Sequence, residues 1–103
     1  MKNYKDLEIY QIAFDLAKRI HFASLRMPKF ELYEQGAQTR RSSKAIKDTI
    51  AEGFGRSRYK TDFIRYLIFA RASHAETINH LESLKITHPD IEAFESLLTD
   101  YKF

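Results

Sequence analysis

At 103 residues, 44% of them hydrophobic, the chain is long enough for one domain with one core, and without cysteine it can have neither disulfides nor thiolate metal sites. Its net charge of +3, from 17 basic and 14 acidic residues, is too small by itself to hold a polyanion to a single copy. The opening residues lack an apolar signal region and no run of about 18 apolar residues occurs, so the reading is a cytoplasmic, soluble protein with no membrane segment.

Three glycines and two prolines leave little material for turns, which argues for a few long helices. A first helix is expected over residues 7–27, with Asp6 as its N-cap and Pro28 just past its end. Ile9, Ala13, Leu16, Ile20, Ala23 and Met27 form one apolar stripe on it; Leu7, Tyr10, Phe14 and Ala17 form a second. Ile12, Phe22 and Leu25 add to the excess, well beyond the three in seven that a helix facing one core needs. A second contact surface follows. Residues 28–33 read as a connection with buried aromatic anchors.

The second helix is expected over 34–53, with Gly36 disturbing its first turn. Thr39, Ser43, Ile46, Ile50 and Gly53 share a narrow face suited to close helix packing, and Arg40, Lys44 and Lys47 share another. Gly53 and Gly55 are expected to end it as left-handed C-caps. A basic loop follows over 54–60. The third helix, capped by Thr61 or Asp62, should run to about Ile86, its first half buried on several sides and its second half on one, along Ala75, Ile78, Leu81, Leu84 and Ile86. His88-Pro89 opens a fourth helix with Ile91, Phe94, Leu97, Leu98 and Tyr101 inward. Four helices with short joins imply an all-α, antiparallel up-down-up-down four-helix bundle filling residues 1–103 as one domain. Its surplus apolar surface implies self-association.

The residues with chemistry point to binding. Arg40, Arg41, Lys44, Lys47, Arg56, Arg58 and Lys60 form the candidate phosphate-contacting surface, with Tyr59 available to stack on a base; the alternative is a solvated face with local pairs such as Lys44–Asp48. Gly53-Phe54-Gly55-Arg56 lacks the third glycine and preceding strand of a phosphate loop. His21, His74, His80 and His88 show no metal-site spacing; Glu76 and His80 suit a helical i, i+4 pair, and His74 a partly buried core position. Glu52 and Glu76 have no evident partner for acid–base work and are expected to pair with Arg40, Arg41 or Arg71 instead. Ser42 and Ser43 have no base beside them. No enzyme signature, cofactor site or small-molecule substrate is implied.

Arg40-Arg41-Ser42-Ser43 with Ile46, then Ile50-Ala51-Glu52-Gly53-Phe54-Gly55-Arg56, resembles the core motif of the 23S rRNA intervening-sequence proteins, small bacterial four-helix bundles. Tyr4-Lys5-Asp6-Leu7-Glu8-Ile9-Tyr10-Gln11 is similar to that family's opening, and Asp62 through Ser73 with Glu76 to its third segment. Lys47 stands where the family often has proline, Thr49 where it has asparagine and Ala72 where it has glycine; without the proline the second helix should be straighter and its basic stripe longer. The resemblance implies a homopentameric ring without enzymatic activity, and relatives among retroelement accessory proteins that bind nucleic acid and a protein partner. The combined expectation is a ring that binds RNA or DNA through phosphates at the seven basic residues. The rival is a protein-interaction adaptor whose basic face only solubilises it or docks an acidic partner.

Overall fold

The computed structural model describes residues 3–102. Four main helices, α1 (Glu8–Ser24), α3 (Gln35–Gly55), α4 (Lys60–Thr87) and α5 (Ala93–Lys102), and a single-turn α2 (Lys29–Leu32) make an all-α bundle, with no strand among the described residues. Around it, α1 packs on α3, α3 on α4, α4 on α5 and α5 on α1, so α1 and α4 stand diagonally. Neighbouring helices run antiparallel. Gln35 meets His80, Ser42 meets Thr77 and Gly53 abuts Tyr66; likewise Lys85 pairs with Glu95 and His74 with Tyr101.

The α1 stripe of Ala13, Leu16, Ile20 and Ala23 is buried, with Met27 just beyond. Asp6 does not cap α1. It closes a 3-10 turn, Tyr4–Asp6, whose own cap is the Asn3 side chain accepting the Lys5 N–H at 3.0 Å, and α1 starts after Leu7 with no side-chain cap. The aromatic anchors expected in the connection are also absent: Phe30 and Tyr33 are 70% and 68% exposed, because α2 is one turn long and Met27 and Gly36 fill the space beneath it.

On α3 the small face is the packing seam. Thr39, Ser42, Ser43, Ile46, Ile50 and Gly53 are buried. Its hydroxyls are satisfied within the helix: Thr39 Oγ1 donates to Gln35 O, Ser42 Oγ to Thr39 O and Ser43 Oγ to Arg40 O. Thr77 on α4 reaches across with its Oγ1 2.8 Å from Ser42 Oγ. The helix runs through both Gly53 and Gly55 to a C-cap at Arg56, and no described glycine has positive φ. Gly53 serves packing instead, since a Cβ built there would lie 2.9 Å from Tyr66 Cβ.

Along α4, Leu81 and Leu84 are buried as expected, while Ile86 faces solvent. The first half is not buried on several sides: Ile64, Ile68 and Phe69 are exposed, because only one flank of that half meets α3 and nothing among the described residues covers the other. Neither Thr61 nor Asp62 caps α4; Tyr59 occupies that position. On α5, Phe94, Leu97, Leu98 and Tyr101 enter the core, joined by Ile91 before it.

The Tyr101 hydroxyl is buried without a hydrogen-bond partner among the described residues. Burial pushes its pKa up, with the Ser43 hydroxyl and the Arg19 charge pulling weakly the other way and neither closing a bond to it. An unpaired buried hydroxyl costs about 1–3 kcal/mol, so Tyr101→Phe should leave the protein as stable or stabilise it by about 1 kcal/mol in urea titration. The sign with pH is fixed: the tyrosine is neutral when folded and ionises near pH 10 when unfolded, so its contribution is complete below about pH 10 and lost above it. The variant should therefore show a shallower loss of stability at alkaline pH.

Candidate nucleic-acid interface

The seven basic residues do not form one patch. Arg40 turns inward: Nη1 donates to Ser24 Oγ and Nη2 to Leu32 O, both at 2.9 Å, tying α3 to the end of α1 and to α2. These are charge-assisted bonds in a half-buried site, and they engage two of the guanidinium donors in holding the fold. Arg41, one residue on, lies exposed toward α4, beside Gln38, Ser42, Ala45 and Glu76. Lys44 and Lys47 lie toward α1, at a shallow hollow completed by Phe14, Lys18, His21 and Phe22. Lys47 Nζ is 2.7 Å from Asp48 Oδ1 and 5.6 Å from the Phe14 ring centroid, a cation–π distance.

Arg56, Arg58 and Lys60 belong to the α3–α4 turn at one end of the bundle. The Arg56 guanidinium lies 5.2 Å from the Tyr66 ring centroid and 3.7 Å from Glu52 Oε2. Arg58, Tyr59 and Lys60 are exposed. Twelve residues separate Lys44 from Arg56, about 18 Å of helix rise, and this exceeds the roughly 8 Å screening length at physiological salt. On one chain, then, the hollow and the turn act as separate cationic sites. Among the described residues, Arg41, Lys44, Arg58 and Lys60 have no carboxylate within ion-pair distance.

Sequence reasoning missed Lys18 and His21 at this hollow; the signal available was the i, i+4, i+8 spacing of Phe14, Lys18 and Phe22, with His21 at i+3 from Lys18.

The other chemistry-bearing groups are engaged in structure. Glu52 pairs with Arg56, and Glu76 with His80 at 3.4 Å, not with Arg40, Arg41 or Arg71. Asp48 pairs with Lys47, not with Lys44 as in the solvated-face alternative. His74 Nε2 lies 2.6 Å from Tyr101 O, linking α4 to α5, and His88 Nε2 lies 3.2 Å from Glu31 Oε2, linking the end of α4 to α2. Among the described residues no three His, Cys, Asp or Glu side chains gather where they could hold a metal ion, and no helix is long and apolar enough to cross a membrane.

No curated protein matches the chain. The family described as 23S rRNA-intervening sequence protein matches residues 5–102, nearly the whole length. The chain belongs to the 23S rRNA-intervening sequence protein family.

Proposed function

We propose that this protein is a non-enzymatic helical bundle that closes into a ring, a homopentamer as the family resemblance implies, and holds RNA or DNA by its phosphates. One observation carries the assembly. Two apolar stripes point away from the core on the diagonal helices: Ile64, Ile68, Ala72 and Ala75 at i, i+4, i+8 and i+11 on α4, and Phe14, Phe22 and Leu25 at i, i+8 and i+11 on α1, all exposed. Two different patches on opposite sides of one copy suit a head-to-tail contact, and such a contact closes into a ring when its rotation permits.

Assembly also supplies what the single chain lacks for a polyanion. Each copy brings +3, and its hollow and turn repeat around the ring, so widely spaced clusters become a series of phosphate sites. Arg41, Lys44, Lys47, Arg56, Arg58 and Lys60 are the contact residues in this reading; Arg40 supports α3 beneath them. Without a base-reading module, selection rests on the shape of the nucleic acid.

The test is fluorescence anisotropy with labelled RNA and DNA between about 50 and 200 mM salt. Affinity should fall steeply, and Lys44→Ala/Arg58→Ala/Lys60→Ala should make the log–log slope shallower by about 0.9 per lost duplex contact. Salt-independent binding, or an unchanged slope in the triple variant, would sink the proposal.

A further inference from the structure

A second hollow, between α3 and α4, holds a carboxylate that phosphate binding does not call for. Gln38, Arg41, Ser42 and Ala45, at i, i+3, i+4 and i+7 of α3, line it together with Glu76 of α4, around about 390 Å³. A hydrogen bond pins the two helices at this level, since Thr77 Oγ1 lies 2.8 Å from Ser42 Oγ and both residues are buried. Arg41 and Glu76 each precede one member of that pair in the chain, so they flank the pinned point from opposite helices. They do not meet. Glu76 pairs with His80, and among the described residues the side chains of Arg41 and Gln38 have no partner.

Glu76 is held in place from behind. The Gln35 amide nitrogen lies 3.2 Å from His80 Nδ1, and with that nitrogen as donor the imidazole carries its proton on Nε2. Nε2–H then faces Glu76 Oε1 at 3.4 Å, which leaves Oε2 without a partner among the described residues and the side chain 58% exposed. A fixed acid repels a phosphate but accepts N–H donors. Arg41 offers the reverse, a planar fork of donors for an acceptor edge. Between them Ser42 and Ala45 are small enough for a flat ring to lie over.

Guanine is the base with both matching edges: O6 and N7 accept, while N1–H and the 2-amino group donate. Adenine would set the N1 lone pair against a carboxylate and its amino group against a guanidinium. Both edges of guanine are open only when the base is unpaired. Lys44, exposed and without a carboxylate partner, neighbours Arg41 at i+3 and can take the adjoining phosphate. We infer that this hollow reads an unpaired guanine in a nucleic-acid strand, with Arg41 on O6 and N7 and Glu76 on N1–H and the 2-amino group. The inference rests on the phosphate-binding reading above and adds base selection to it.

Fluorescence anisotropy on the full chain tests it, with a ten-residue oligouridine carrying one central guanosine, inosine or adenosine at about 100 mM salt. The guanosine strand should bind at least tenfold more tightly than the adenosine strand, and inosine, which lacks the 2-amino group, should fall between them. Glu76→Ala removes a negative charge, so affinity for plain oligouridine should hold or rise while the guanosine preference drops below about threefold. Arg41→Lys should lower the preference in the same way with the salt slope unchanged, because the charge stays and the fork is lost. Both positions are exposed, and circular dichroism checks that helicity is kept. Repeating the series with deoxy strands tells an RNA source of the base from a DNA one. Equal binding of guanosine and adenosine strands, with affinity still falling as salt rises, overturns the inference and leaves the phosphate reading standing. A preference that survives both substitutions overturns it as well. Binding to none of the strands overturns both readings.

Discussion

Ile68→Glu is expected to reduce the assembled protein to a 12.2 kDa particle without unfolding it. Ile68 is 59% exposed on the outward side of α4, where a glutamate is hydrated in the separate chain and changes stability by no more than about 0.5 kcal/mol. Between two copies the same carboxylate would be desolvated against an apolar face, at a cost of several kcal/mol unless paired. Each 1.4 kcal/mol weakens the contact tenfold, and every contact in a ring carries the substitution, so association should weaken by about a thousandfold or more. Phe22→Glu, at a position 62% exposed on α1, should do the same from the other side. Sedimentation velocity at micromolar concentration reads both.

Mixing the two variants tests head-to-tail geometry itself. Each keeps one intact face, α1 in Ile68→Glu and α4 in Phe22→Glu, so the mixture should stop at a dimer of about twice 12.2 kDa. A like-with-like contact between α4 faces would instead leave Phe22→Glu assembled by itself. A monomeric wild-type protein would remove the ring and, with it, the pooled charge.

The contrast between what was legible in the chain and what was not follows one physical rule. Periodicity fixes the angle of a side chain about its own helix axis, not which neighbour stands at that angle. Thr39, Ser43, Ile46, Ile50 and Gly53 could be grouped from spacing and all five are buried, as are Phe94, Leu97, Leu98 and Tyr101 on α5. Arg40 spaced with Lys44 and Lys47 looked like one stripe. Its partners, Ser24 and the Leu32 carbonyl, come from other elements, and they turn it inward while Lys44 stays exposed. Phe30 and Tyr33 misled because large aromatic area predicts burial only where the chain builds a pocket, and α2 is too short to build one. The apolar surplus on α1 and on the first half of α4 was legible from composition, but that the two helices stand diagonally was not, because diagonal placement depends on how all four helices pack.

The sharpest stability effect should come from Gly53→Val, and its logic separates two roles for glycine. A left-handed cap would make alanine destabilising at both Gly53 and Gly55. Neither has positive φ, so alanine should gain about 0.5–1 kcal/mol of helix propensity at each before packing is considered. At Gly55 nothing among the described residues lies within 4 Å of an added Cβ, and that gain should survive. At Gly53 the added carbon would meet Tyr66 Cβ at 2.9 Å and Phe63 Cδ1 at 3.6 Å. Tyr66 Cβ is fixed to the α4 backbone, so the two helices must separate, and overpacking of this kind costs about 1–3 kcal/mol. Gly53→Ala should therefore come out near balance or mildly destabilised. Valine adds two more carbons with one preferred χ1 in a helix, and here it should cost about 3 kcal/mol, a large share of the 5–15 kcal/mol of a whole domain. Thermal unfolding should show Gly55→Ala at or above wild type and Gly53→Val at least about 10 °C below it. Because the same contact sets the α3–α4 turn, Gly53→Val should also weaken nucleic-acid binding below its Tm by displacing Arg56, Arg58 and Lys60, whereas Gly55→Ala should not. Similar destabilisation of Gly53→Ala and Gly55→Ala would return both to a capping role and leave the close approach at Tyr66 without energetic weight.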